Sequence, residues 1–154
     1  MTTVELSTHL PADPAMVREQ IMRPAVLVHV SRPLIRFTPI DPPALPEVWK
    51  QDRYKVAMHL FGVVPIGWQV VGIEMRPAEG ETWSIRDNGH GALIRTWDHV
   101  IEVAPEGEGT RYTDRVTIEA GWLTPAVVLF ARIFYGHRQR RWRKLVASGF
   151  DRGG

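Results

Sequence analysis

His99 and Asp114 are the residues of this sequence best suited to chemistry. They lie on neighbouring strands of one expected hairpin and fall on the same face. A carboxylate beside an imidazole fixes its tautomer and can make it a general base or a ligand anchor. The same pair can equally serve as a buried structural contact. Asp87 and Arg95 form a second candidate pair on that face. An inward guanidinium there could hold a ligand carboxylate or carbonyl, or simply satisfy the aspartate. Arg138 is a third candidate anchor, because it interrupts an apolar helical stripe. Its alternative is to snorkel past that stripe to water. No Ser nucleophile stands at a suitable spacing, and the chain has no Cys. His9, His29, His59, His90 and His137 show no usable ligand spacing, so neither a metal nor another cofactor is expected. The Gly-rich "NGHG" reads as a hairpin turn, not a phosphate loop.

These residues need elements to hold them. The chain has 154 residues, 44% hydrophobic and 23% charged, which suits one globular domain. The expected boundaries are 1–150 for the domain and 151–154 for a tail. Val4, Leu6, Thr8 and Leu10 alternate with polar residues and mark a first strand. Asp13 and Pro14 open a helix, and Pro24 opens a second short one. "LIRFTPI" reads as a strand and "DPPALPE" as a loop.

Two hairpins and a further strand follow. In the first, Met58 is set opposite Val71, Val56 opposite Ile73, Tyr54 opposite Met75 and Lys55 opposite Glu74. In the second, a four-residue turn at Pro105–Glu108 sets His99 against Asp114, Trp97 against Val116 and Ile101 against Tyr112. Its outer face then pairs Asp98 with Arg115 and Glu102 with Arg111. Between the hairpins, Trp83 and Ile85 point inward, and Asp87 is placed opposite Arg95.

The longest helical pattern begins at Thr124, as cap, and Pro125, and ends before Gly149. Val127, Ala131, Phe134, Arg138, Trp142 and Leu145 form its inner stripe. Arg132, Arg140, Arg143 and Lys144 lie opposite. The basic stretch "FYGHRQRRWRKL" is therefore chiefly a solvated helix end, where the helix dipole favours cations. Without that stretch the chain's charge balance turns negative. Nucleic acid is accordingly not an expected partner. Leu129 and Ile133 are apolar residues on the polar side, and a homodimer seam is one expectation for them. No signal-peptide pattern or membrane-length apolar run is present, so a cytoplasmic protein is expected.

The order strand, two short helices, six strands and a long helix resembles the START-related helix-grip superfamily, also called SRPBCC. That superfamily includes polyketide cyclases, lipid-transfer domains and plant-allergen-type ligand carriers. The nearest resemblance is to a bacterial group of ligand-binding members, carried by Asp87, Arg95, Trp97, His99, "GTRYTDRV" with Asp114, and the aromatic-basic helix. The resemblance implies an α+β fold with a seven-stranded antiparallel sheet wrapped around the C-terminal helix. It also implies a cavity lined by Met58, Val71, Ile73, Trp83, Trp97, His99, Ile101, Tyr112, Asp114, Val116, Val127, Phe134 and Arg138. The expected function is binding of a small hydrophobic or amphipathic molecule, lipid- or polyketide-like, without catalysis. The alternative is a polyketide cyclase/dehydratase- or hydrolase-like enzyme using His99, Asp114 and Arg95.

Overall fold

The computed structural model describes residues 1–153. The expected tail at 151–154 therefore includes one residue, 154, outside the described residues. The elements run β1 (Thr2–Leu10), α1 (Pro14–Ile21), α2 (Pro24–Ser31), β2 (Ile35–Asp41), β3 (Arg53–Leu60), β4 (Val64–Met75), β5 (Trp83–Gly91), β6 (Thr96–Glu106), β7 (Gly109–Glu119) and α3 (Thr124–Ala147). The seven strands form one antiparallel sheet in the order β1-β7-β6-β5-β4-β3-β2. Only the β1–β7 pairing is non-sequential, and α1 and α2 lie within the long connection that frees β1 for it. This is the expected α+β helix-grip architecture.

Local chemistry sets the element ends. The Asp13 carboxylate accepts a hydrogen bond from the Ala15 N–H at 2.8 Å, and Pro14 occupies the first turn of α1. Thr124 does not cap α3 with its side chain. Its hydroxyl accepts from the Ala120 N–H and donates to the Gly121 carbonyl, and so ties down the 3-10 turn that feeds the helix. At the other end, the Gly149 N–H bonds the Val146 carbonyl and the Phe150 N–H bonds the Leu145 carbonyl. Gly149 has φ +69°, so this is a Schellman stop that glycine makes at little cost.

α3 packs against β1, β7 and α2 and stands off from β3, β4 and β5. Buried residues gather at its two ends. Val17, Val26, Tyr112, Trp142 and Leu145 pack at one, and Val4, Ile118, Ala131 and Tyr135 at the other. Each fully buried aliphatic side chain stabilises the fold by about 1.5–3 kcal/mol. The gap between α3 and the middle strands remains open, and the candidate site lies there.

Three expected registers are corrected. β3 and β4 pair Tyr54 with Val71 and Val56 with Gln69, four residues away from the expected alignment. β4 begins at Val64, directly after a tight turn in which Phe61 and Gly62 both have positive φ. Lys55 consequently faces Val70 and lies over the Trp68 ring, while Glu74 pairs with Arg86. β6 and β7 pair His99 with Val116 and Ile101 with Asp114, a slip of two. The hairpin closes tightly at Gly107 (φ +58°) and Glu108 instead of using four residues. Arg115 therefore pairs with Glu102 and Glu5, Arg111 with Glu106, and Asp98 with Arg86. "NGHG" lies within β5 and is not a turn, so Asp87 faces His99 instead of Arg95.

Candidate ligand cavity

A cavity of about 400 Å³ lies between the sheet and α3. Met58, Val71, Ile73, Ile85, Trp97 and Ile101 line it from the sheet. Val127, Phe130 and Phe134 line it from α3, and Val26, Leu27 and Trp49 from α2 and the loop that follows β2. Alternation explains the sheet wall, since odd and even residues of each strand take opposite faces. Leu93 and Leu123, on connecting segments, complete the apolar boundary.

Six polar residues interrupt it: Gln69, Arg86, Asp87, His99, Tyr135 and Arg138. The Arg86 guanidinium is already held by Glu74 and Asp98. His99 Nε2 stands 2.7 Å from Asp114 Oδ1, and both residues are buried. Asp114 also accepts from the Tyr112 hydroxyl at 3.1 Å and from Gln139 Nε2 at 3.0 Å. Burial alone would raise the Asp114 pKa, but the hydrogen bond from His99, with the smaller contributions of His99, Arg138 and Gln139, holds it below the ordinary value. Burial lowers the His99 pKa, against the pull of Asp114. The resulting pair is a carboxylate and a neutral imidazole. Asp114 can only accept, so Nε2 carries the imidazole proton and Nδ1 keeps its lone pair. The Tyr135 ring lies 4.7 Å from the His99 ring, and its hydroxyl accepts from Trp97 Nε1 at 3.1 Å.

Asp87 accepts one hydrogen bond, from the Gly72 N–H at 2.9 Å. Burial pushes its pKa up to about 7. Arg138 is only 4% exposed, so it does not snorkel to water. Its guanidinium lies over Tyr135 at 5.2 Å and Phe134 at 5.6 Å.

The cavity gathers Met58, Val71, Ile73, Trp97, His99, Ile101, Val127, Phe134 and Arg138 from the sequence-expected set. Asp114, Tyr112 and Val116 are buried behind that surface and do not line it. Trp83 packs against the core beyond it. Arg95 is exposed in the β5–β6 turn and cannot anchor an interior ligand. Leu129 and Ile133 are exposed on α3, as the helical pattern indicates. Sequence reasoning missed Gln69, Tyr135 and Trp49. Gln69 shares its face with Val71 and Ile73 by alternation, but its polar side chain does not mark it as inward, and Tyr135 sits one position off the main stripe. Trp49 belongs to the proline-rich loop, where no periodicity exists to assign a face. Among the described residues, no three His, Asp or Glu side chains gather as a metal ligand set, and no helix is long and apolar enough to cross a membrane.

The fold has many counterparts among solved structures. TTHA0849 from Thermus thermophilus superposes with a TM-score of 0.66 at 14% identity, covering 97% of this chain and 100% of that one. A START superfamily protein from Mycobacterium smegmatis gives 0.65 at 12% identity, covering 95% and 97%. The AHSA1 protein from Silicibacter pomeroyi gives 0.62 at 11% identity, covering 96% and 99%. These likenesses establish the START-related helix-grip fold. No curated protein matches the sequence. A family model does match, over residues 8–146, and the chain belongs to that family, the domain of unknown function DUF8410.

Proposed function

We propose that this protein binds a small hydrophobic or amphipathic molecule, lipid- or polyketide-like, between the sheet and α3. The observation that carries this reading is the largely apolar cavity of about 400 Å³, which α3 leaves unfilled. Well-packed interiors leave few voids larger than a water molecule. A space of this size with apolar walls gains free energy when an apolar molecule enters, at about 25 cal/mol per Å² removed from water. In this reading residues 1–150 form one domain, working in the cytoplasm as a container. Native mass spectrometry of freshly purified protein tests it. A co-purified adduct, released on unfolding, is the expected result. Absence of an adduct, together with no binding of the neutral fluorophore N-phenyl-1-naphthylamine, counts against it.

A second reading rests on His99, which faces the cavity while Asp114 holds its Nε2 proton. Its unprotonated Nδ1 could act as a general base in a cyclase/dehydratase- or hydrolase-like reaction. Arg95 has no part in this version.

A further inference from the structure

We infer that the ligand is an amphiphilic monocarboxylate, with its carboxylate on the Arg138 guanidinium and its apolar body filling the rest of the cavity. This rests on the reading of the cavity as a ligand container. Arg138 is buried at 4% exposure and lines that cavity. Among the described residues, no carboxylate oxygen stands within 4.0 Å of it, and its Nε has no hydrogen-bond partner. Aromatic faces are its nearest compensation, at 5.2 and 5.6 Å. The two carboxylates of the region are otherwise engaged. Asp114 accepts from His99, Tyr112 and Gln139, and Asp87 accepts from the Gly72 N–H.

A buried cation with unused donors lacks an acceptor, and the cavity supplies the room for one. The planar fork matches two oxygens of one carboxylate. A neutral carbonyl would accept a hydrogen bond but offer the two-armed fork a single oxygen. A phosphate dianion would bring more negative charge next to Asp87 and Asp114 than one guanidinium offsets. The apolar walls then require the remainder of the ligand to be apolar. The titratable groups around the bound carboxylate are Asp87 and the ion-paired Arg86 on β5, His99 on β6, Tyr112 and Asp114 on β7, and Tyr135 on α3. Asp87 is the one carboxyl among them pushed up to about 7, so it can take a proton as the ligand's charge arrives.

Displacement of bound N-phenyl-1-naphthylamine by decanoate and by decan-1-ol, at pH 7, tests the inference. Decanoate should displace the probe at a concentration about tenfold or more below that of the alcohol, as a hydrogen bond between charged partners implies. Arg138→Met should still bind the probe and lose that preference. Calorimetry in two buffers of different ionisation enthalpy should show proton uptake with decanoate alone. If acid and alcohol displace the bound probe equally, the carboxylate inference is wrong and the container reading stands. If the delipidated protein does not bind the probe and no adduct co-purifies, both are wrong. Should Arg138→Met fail to fold, Arg138→Lys keeps the charge without the fork and should show a reduced preference. The wild-type ratio of acid to alcohol decides the matter in either case.

Discussion

His99 Nε2 lies 2.7 Å from Asp114 Oδ1 although neither is the other's backbone partner. The contact is diagonal, across a register slipped by two, and three donors converge on the one carboxylate. Replacing Asp114 by Ala leaves these donors unpaired in the interior. The expected loss is about 3–5 kcal/mol, since each buried donor left without an acceptor costs about 1–3 kcal/mol. Asp114→Asn should lose less. Because the folded-state pKa of Asp114 is depressed, its contribution is present above the ordinary 3.8 and is lost as pH falls through the lower folded value. Urea unfolding of both variants at pH 7 and pH 3 measures it, and equal losses at both pH values would contradict the assignment.

Asp87 has the opposite sign. Its folded pKa is raised from 3.8 to about 7, so the folded protein holds a proton that the unfolded chain has released. Its contribution is full below pH 4 and disappears as pH rises through 7. Asp87→Asn keeps an acceptor for the Gly72 N–H and removes the titration. The stability gain on this substitution should be larger at pH 8 than at pH 5 by about 2 kcal/mol. A gain independent of pH would remove Asp87 as the titrating group.

Arg138→Met should change the stability of the ligand-free protein by no more than about 1 kcal/mol, since burial of the guanidinium is opposed by Asp114 and Asp87, which help raise its pKa from a distance. Denaturant unfolding of delipidated protein checks this. A large loss would mean that this compensation outweighs the cost of burying the guanidinium.

Gly72 allows β4 to approach β5 closely. A Cβ there would meet the Asn88 carbonyl oxygen at 2.6 Å. Gly72→Ala should cost about 1–3 kcal/mol by overpacking and should shift the N–H that Asp87 accepts. Thermal unfolding reads the first effect. The pH dependence of stability reads the second, because Asp87 without its donor should titrate higher still.

Phe134→Ala and His99→Gln separate container from enzyme. A container should bind a neutral probe much more weakly in Phe134→Ala, through lost contact area and a reshaped cavity, and change by about 1 kcal/mol in His99→Gln. An enzyme using His99 as base should keep binding in His99→Gln and lose turnover by roughly 10²–10⁴-fold.

The architecture and the sheet faces were legible in the sequence, but the partners across the strands were not. Each expected register misses by an even number: four for Tyr54 and Val71, two for His99 and Asp114, four for Asp87 and Arg95. Alternation fixes only which face a residue takes, and an even slip preserves every face. The outer charges did not break this degeneracy. Arg115 could meet Glu102 as readily as Asp98, and it also reaches Glu5 on a strand more than a hundred residues away in sequence. The inner stripe of α3 was legible because one period governs it. The burial of Arg138 was not, since its depth depends on how far α3 stands from β4 and β5. That distance is set by packing at the helix ends.

Four of the six tryptophans, Trp49, Trp68, Trp97 and Trp142, border the cavity. The site thus carries its own fluorophores, distributed over loop, sheet and helix. Trp97 is held by its hydrogen bond to the Tyr135 hydroxyl, so its indole reports on the spacing between sheet and α3. An occupant that moves the two apart changes the polarity around that indole. Filling of the cavity should therefore be visible in the intrinsic emission spectrum, with no label attached.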